Sequence, residues 1–420
     1  MLMLKIAFRN IFRQKRRSIL TALSMFGGFV LATFFIGFSD GTYNDIIDTF
    51  TRNQMGHIQI HHGDYLDRPT LYKTVDDLPV IEEILRQEEK VDSWAPRLYS
   101  AGLAAVGEKS AGVRIIGIDP EKEIRTTKFN EKITSGAMFT ASSPEVLLGK
   151  GLAKLLKAQL GDEVVLVSQA ADGSIANEQY KVAGIVDTGD EIGDRAAFYL
   201  PLAVAQDLLV LENRVHEIAI TVHSLYDVDP VYKDLDKKIK ALDTNLASGQ
   251  GSEGKAKPSL VVEPWQVFAR SFYIAMKADQ EGMWIQLLII ILVVAVGVLN
   301  TVLMSVLERR REYGVLKAVG TKPGQIVKMV LMEVNIMALF CIVVGAGFGL
   351  LLNYFFSVHG ISLPEPMTYG GMKFQYMFTE INARSFIIPA VTVLVSATLV
   401  SLFPALKAAH TDPARSMRLH

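Results

Sequence analysis

A single cysteine, Cys341, among 420 residues excludes an intramolecular disulfide framework and any multi-cysteine metal site. No G-x-x-x-x-G-K-[ST] phosphate loop occurs. Gly107-Glu108-Lys109-Ser110 lacks the preceding glycine spacing that lets backbone N–H groups wrap a phosphate, so the chain has no such route to ATP. G-x-S-x-G and H-E-x-x-H are also missing, which removes the nucleophile elbow and the helical zinc site. His57, His61 and His62 lack a nearby carboxylate or cysteine ligand set in the sequence and read as a solvated strand edge. With 43 Lys and Arg against 44 Asp and Glu, no bulk basic charge is available for nucleic acid. The expectation is a chain without catalytic, cofactor-binding or metal-ligating residues of its own.

What the chain does have is apolar length. Half of it is hydrophobic, mean hydropathy is +0.26, and the excess lies in four uncharged runs. Ser18–Ser39 is the first, Gly282–Leu307 the second, Val334–Val358 (within a span at 329–358) the third, and Ser385–Leu406 the fourth. At about 1.5 Å per residue each suffices for a hydrocarbon layer roughly 30 Å thick. Four spans place both termini on one side, and Lys and Arg in short flanks choose that side. Residues 1–17 carry Lys5, Arg9, Arg13, Lys15, Arg16 and Arg17 with no acid, residues 308–328 carry six bases against Glu308 and Glu312, and the 407–420 tail is also basic. These segments are assigned to the cytoplasm. The long segment from Gly41 to Glu281 holds 37 acids and 26 bases and is assigned outside. The first span exceeds a signal-peptide core and no A-x-A site follows it, so it reads as an uncleaved anchor.

The layout is therefore an α-helical membrane domain of four transmembrane helices plus a large extracytoplasmic α+β domain at 40–281, with a short outer loop at 359–384. In the large domain, strands are predicted at His57–His61, Leu98–Val106, Val113–Ile118, Val164–Ser168, Tyr180–Val186 and Ile218–Val222. Helices are predicted at Asp77–Glu89, Gly151–Gln159, Leu202–Leu211 and Val228–Leu242. Ala247–Pro258, rich in Gly, Ser and Lys, reads as a flexible stretch. Two stripes next to the spans, Tyr43/Ile46/Ile47/Phe50 and Trp265/Phe268/Phe272/Met276, read either as stiff stalks or as faces packed on the domain.

The segment between the second and third spans carries the most information. Charges at the membrane exit are followed by a short helix with Val315, Leu316 and Val319 on one side, and then by the stop signals Gly320 and Pro323. That pattern suits a docking knob. Headgroup anchoring explains Arg309, Arg310 and Arg311 but not the apolar residues or the abrupt stop.

The run Glu308-Arg309-Arg310-Arg311-Glu312-Tyr313-Gly314-Val315-Leu316-Lys317-Ala318-Val319-Gly320 closely resembles the coupling segment of the FtsX-like, MacB-type ABC transporter permeases. Lys5–Arg13 resembles the amphipathic helix before their first span, and Phe403–Arg415 resembles their C-terminal signature. Length and architecture resemble the lipoprotein-releasing permeases most. The resemblance implies a porter-plus-Sabre outer domain with the Sabre part near residues 111–200. It also implies a dimer of permease chains in the bacterial inner membrane that recruits two copies of a separate ATPase holding ATP and Mg. The work would be mechanotransmission, moving the outer domains without passing cargo through the membrane. The spans fit this, because their one ionisable neighbour is Glu333, read as structural or snorkelling. Glu308, Arg309, Arg310, Arg311, Glu312, Gly314, Val315, Leu316, Lys317 and Gly320 are the implied ATPase-coupling residues.

The leading expectation is release of lipoproteins from the inner membrane to a periplasmic acceptor. An acyl-chain vestibule is then expected from Phe29, Ala32, Phe35 and Ile36 of the first span and Trp284, Leu287, Leu288 and Ile291 of the second. The Pro-containing hook of chaperone-recruiting permeases has as its counterpart Gln169–Gln179, which is short and lacks proline; that argues against chaperone recruitment. The alternatives are MacB-like efflux of small molecules or peptides with a fusion protein, and FtsX-like signalling to a cell-wall hydrolase, which resembles a much smaller outer domain.

Overall fold

A computed structural model describes residues 15–249, 260–369 and 372–410. The predicted helix before the first span, most of the flexible stretch at 247–258 and the end of the C-terminal signature lie outside the described residues. The chain divides into two compact units. One, the sheet unit, comprises Ile46–Ala275 with Glu365–Phe374; the other, the membrane unit, comprises the remaining segments.

Helix α1, Lys15–Phe50, outlasts its apolar run by eleven residues because the polar continuation still carries an apolar stripe. It ends in one π-helical turn, Thr51–Met55, closed by Gly56, where φ of +77° needs a residue without Cβ. The sheet unit then alternates strands with short helices. Strand β1 is Ile58–His62, followed by α2 (Leu78–Arg86), β2 (Val91–Val106) and β3 (Lys109–Ile118). Asp119 caps α3, Pro120–Thr127, by accepting from the N–H groups of Glu121 and Lys122. Next come β4 (Ile133–Gly136), β5 (Glu145–Gly149), α4 (Lys150–Leu156), β6 (Glu163–Gln169) and β7 (Ile175–Val186). The unit continues through β8 (Ala197–Pro201), α5 (Leu202–Leu209), β9 (Glu217–Val222), α6 (Val228–Gly249) and β10 (Leu260–Pro264).

The ten strands form one sheet in the order β10-β1-β9-β2-β3-β8-β5-β7-β4, and β6 bridges β2 and β7. Strands β2, β3, β8, β5, β7 and β6 thus close on themselves as a six-stranded ring. Its interior follows strand periodicity: along β6, Val164, Leu166 and Ser168 are buried while Val165 and Val167 face outward. Leu98, Ile115, Val146, Leu148, Phe198 and Leu200 pack there with Leu152 and Leu156 of α4 and Leu209 of α5. Each such side chain contributes about 1.5–3 kcal/mol by burial. The sixteen-residue β2 joins the two parts of the unit, since Val91–Arg97 pairs with β9 and Gly102–Ala105 with β6. β2 itself precedes residue 111 and pairs with β3 and β6 of the 111–200 region. β1 lies between β9 and β10 and is no solvated edge. His57 and His61 are buried, and each histidine meets its own carboxylate, Asp48 for His57, Glu263 for His61 and Asp64, two residues on, for His62.

After the single turn α7 (Trp265–Phe268) the chain continues with α8 (Arg270–Glu308), α9 (Arg310–Ala318), α10 (Pro323–His359), the hairpin β11–β12 (Ile361–Tyr369 and Met372–Met377) and α11 (Ala383–Ala409). Helices α1, α8, α10 and α11 are long and apolar enough to cross a membrane. Small residues let them approach closely: a Cβ on Gly28 of α1 would lie 2.0 Å from Val294 Cγ2 of α8, and one on Gly345 of α10 would lie 2.7 Å from the Phe29 ring. Among the stripe residues, Phe50 stacks on Phe272 with ring centroids 3.8 Å apart, so the two stripes meet at this pair.

Candidate functional site

The coupling segment starts where α8 breaks. Arg309 leaves helical geometry with ψ near 14°, and a separate helix, α9, begins at Arg310. The Arg309 side chain turns inward, donating from Nη1 to Glu333 Oε2 at 2.9 Å and from Nε to Glu312 Oε2 at 3.2 Å, with its guanidinium 5.4 Å from the centre of the Tyr313 ring. Tyr313 is 1% exposed, and burial pushes its hydroxyl up to about 12. Burial works against the Arg309 charge, yet Tyr313, Glu333 and Glu312 together hold its pKa above the ordinary value. A second tie is made at the other end of α9, where Lys317 Nζ donates to the Ala409 carbonyl at 3.0 Å, at the C-terminal end of α11 where the helix dipole favours a cation.

Gly320 terminates the segment with φ of +100°. Its N–H donates to the Lys317 carbonyl and that of Thr321 to the Leu316 carbonyl, both at 3.0 Å, satisfying carbonyls that the helix end leaves open. Pro323 then starts α10.

These ties give α9 two faces. Arg309, Tyr313 and Gly314 point into the unit, whereas Arg310, Arg311, Val315, Leu316 and Val319 point out. Val319 is 82% exposed, Val315 47% and Leu316 36%, so aliphatic surface and two guanidinium groups lie together in the open. Of the residues expected to couple, Arg309 and Gly314 belong to the inner face, Glu312 and Lys317 are partly buried, and Glu308 is exposed at the end of α8. Tyr313 and the Arg309–Glu333 pair were not expected. The signal for Tyr313 is an aromatic four residues after Arg309 in an otherwise charged stretch.

The expected acyl-chain vestibule divides. Phe29, Ala32, Ile36 and Leu287 are buried in helix packing, Phe29 against Met25, Val298 and Cys341 and the other three against one another. A Cβ on Gly345 would meet the Phe29 ring, so the helices lie close together at this residue. Phe35 and Ile291 are half-buried, while Trp284 and Leu288 are exposed. The segment Gln169–Gln179 comprises the end of β6, the turn Ala170–Ser174 and the start of β7, with Gly173 at φ of +87° and Ser174 bonded to the Asp172 carboxylate.

Known proteins match along nearly all of this architecture. Residues 18–238 match the family model described as the MacB-like periplasmic core domain, and residues 284–413 match that of the FtsX-like permease C-terminal region. The lipoprotein-releasing system transmembrane protein LolC of Neisseria meningitidis is 22% identical over 77% of this chain and 77% of its own. The macrolide export ATP-binding/permease protein MacB of Haemophilus ducreyi is also 22% identical, over 86% of this chain and 50% of its own. Among solved structures, the periplasmic region of MacB from Actinobacillus actinomycetemcomitans covers 52% of this chain and 94% of its own at 18% identity, with a TM-score of 0.39.

Proposed function

This chain belongs to the FtsX-like permease family with a MacB-like periplasmic core domain, and on that premise we propose that it couples ATP hydrolysis in a separate cytoplasmic subunit to work in the periplasm. It is an ABC transporter permease of the inner membrane, with a periplasmic domain. The observation that supports coupling is the two-faced α9. Its outward side offers Val315, Leu316, Val319, Arg310 and Arg311 to an ATPase, which binds the ATP and Mg. Its inward side hands any displacement to α10 through Arg309–Glu333 and to α11 through Lys317. Helix α8, which ends at this hinge, contributes residues to both units, as does α1. In this mechanism a second permease chain and a second ATPase complete the transporter, and both termini lie in the cytoplasm.

The work proposed is release of lipoproteins from the inner membrane, supported by the lipoprotein-releasing relatives at 22% identity. Trp284 and Leu288 are the vestibule residues that remain exposed for an acyl chain. With a tight turn at Ala170–Ser174, hand-over to a hook-recruited chaperone is not part of the proposal. The test is a release assay with the full chain, its ATPase and a fluorescent acylated protein in proteoliposomes. ATP-dependent release that fails in Trp284→Ala/Leu288→Ala, with ATPase binding intact, is the expected result. Export of an unacylated peptide in place of lipoprotein release would favour efflux.

A further inference from the structure

Strand β2 changes partner partway along. Val91–Arg97 pairs with β9 and Gly102–Ala105 with β6, so on that side Leu98–Ala101 crosses a seam between two strands, while β3 pairs with all four residues on the other side. A lapse in pairing leaves backbone groups that need side-chain partners. Ser168 of β6 fills one need, its hydroxyl donating to the Ala101 carbonyl at 2.8 Å. His216, fully buried just ahead of β9, fills another. Its backbone N–H donates to the Arg97 carbonyl at 2.9 Å, and its ring Nδ1 accepts from the Tyr99 N–H at 3.0 Å.

The second ring nitrogen reaches the opposite way. Nε2 lies 3.2 Å from the Leu71 carbonyl, in the strap at residues 63–76 between β1 and α2. The same strap stacks Tyr65 on the imidazole, with ring centroids 5.2 Å apart, and bridges Val75 to Val215. A backbone N–H donates and a carbonyl accepts, so one form of the ring satisfies both contacts: the neutral imidazole with its proton on Nε2. An imidazolium would turn an Nδ1–H onto the Tyr99 N–H, donor against donor in a buried place. Strap residues and Tyr99, Ser100 and Ala101 of the seam together wall a hollow of about 490 Å³.

The charged groups around the ring are engaged elsewhere. Glu217, next along the chain, accepts from Arg97 at 3.2 Å; Arg97 lines a neighbouring cavity of about 300 Å³, where it also grips Glu123 at 2.6 Å and the Gln54 carbonyl in the turn that ends α1 at 2.7 Å. Arg114 of β3 stands over the Tyr99 ring. On the strap, Asp64 meets His62 and Lys73, each at 2.9 Å, and Asp76 meets Arg214 at 3.4 Å. Burial pushes the Tyr65 and Tyr99 hydroxyls up, so both stay neutral. Burial likewise holds the His216 pKa below its ordinary value, with the Leu71 carbonyl opposing.

We propose that His216 is a pH-operated plug of this seam. Neutral, it closes the gap between β9 and β6 and holds the strap in place; protonated, it leaves the Tyr99 N–H, and seam and strap open at the hollow. The plug rests on neither ATPase coupling nor lipoprotein release. Because the open state binds the proton more readily than the closed one, opening is favoured as pH falls below 6.5, the ordinary histidine value.

Hydrogen exchange of the full chain in nanodiscs, corrected for the intrinsic pH dependence of exchange, tests it. From about pH 7.5 to about pH 5.5, opening at the Tyr99 amide is expected to rise about five- to tenfold, as linkage to one proton requires, with the Leu148 amide of the ring core unchanged. His216→Gln supplies an acceptor and a donor that do not titrate, and is expected to abolish the rise. Nitrogen NMR of the wild type labelled at histidine and tyrosine needs no variant, since coupling to the Tyr99 amide identifies the ring; a bare Nδ1 and a protonated Nε2 are expected at about pH 7.5. A flat Tyr99 response, an equal rise in His216→Gln or at Leu148, or a proton on Nδ1 at that pH overturns the plug.

Discussion

Both units of this permease are built around a buried arginine held by two carboxylates, and the two arginines do different work. Arg309 pairs with Glu312, three residues on, and Glu333, 24 residues on, at the rim of the membrane unit. Arg97 pairs with Glu123 and Glu217, 26 and 120 residues away, inside the sheet unit. The first pins a surface helix so that its other face is presented, and the second holds a cavity wall to the last turn of α1. A buried ion pair is weak evidence for stability.

The largest expected effect breaks the sheet-unit cluster. Arg97→Met leaves Glu123 and Glu217 buried without their cation, and a loss of about 3–5 kcal/mol or more is expected in denaturant unfolding of the full chain. The membrane-unit pair sharpens the comparison, because Glu333→Leu alone is expected to cost about 3–5 kcal/mol, while Arg309→Met/Glu333→Leu regains most of it and still loses ATP-driven release. Recovery of release along with stability would reduce the pair to packing. Gly320→Val forces a β-branched residue to φ of +100°, and about 1–2 kcal/mol of local strain is expected, seen as faster hydrogen exchange in α9 with the spans still protected.

The smallest effect is one of pH. Burial lowers the Lys132 pKa from 10.5 to about 8, with Glu123, Asp194 and Glu131 opposing the shift and Arg97 adding to it. Because the folded value is the lower one, the charged lysine opposes folding below pH 8, and the opposition fades as pH rises from 8 toward 10.5. Stability of Lys132→Met relative to wild type is therefore expected to decline over that window, and a flat difference would show that Lys132 is solvated.

The same contrast explains what the sequence made legible. The four spans and the short helix 310–318 announce themselves by local signals: uncharged runs, basic flanks, and a Gly and Pro stop. The edges differ because helix continues into polar flank, α1 reaching Phe50 and α8 starting at Arg270. In the sheet unit the alternating strands are readable, while Glu145–Gly149 and Ala197–Pro201 are buried on both faces and offer no alternation to detect. Helix α3 is short and polar, readable only through its Asp119-Pro120 cap. The ion clusters are least legible of all, since Arg97 and Glu217 meet only because β2 pairs with β9. The expected vestibule shows the same limit: Phe29 and Trp284 are both large aromatics, and only packing separates the buried side chain from the exposed one.

The most direct measurement is intact-complex mass spectrometry of the full chain extracted from its native host, beside Leu316→Glu/Val319→Glu. Two permease chains with two copies of an ATP-binding subunit are expected for wild type, and loss of that subunit from an otherwise folded variant. A wild-type chain that carries no ATP-binding subunit, or a variant that keeps it at full occupancy, would contradict the role given to the outward face of α9.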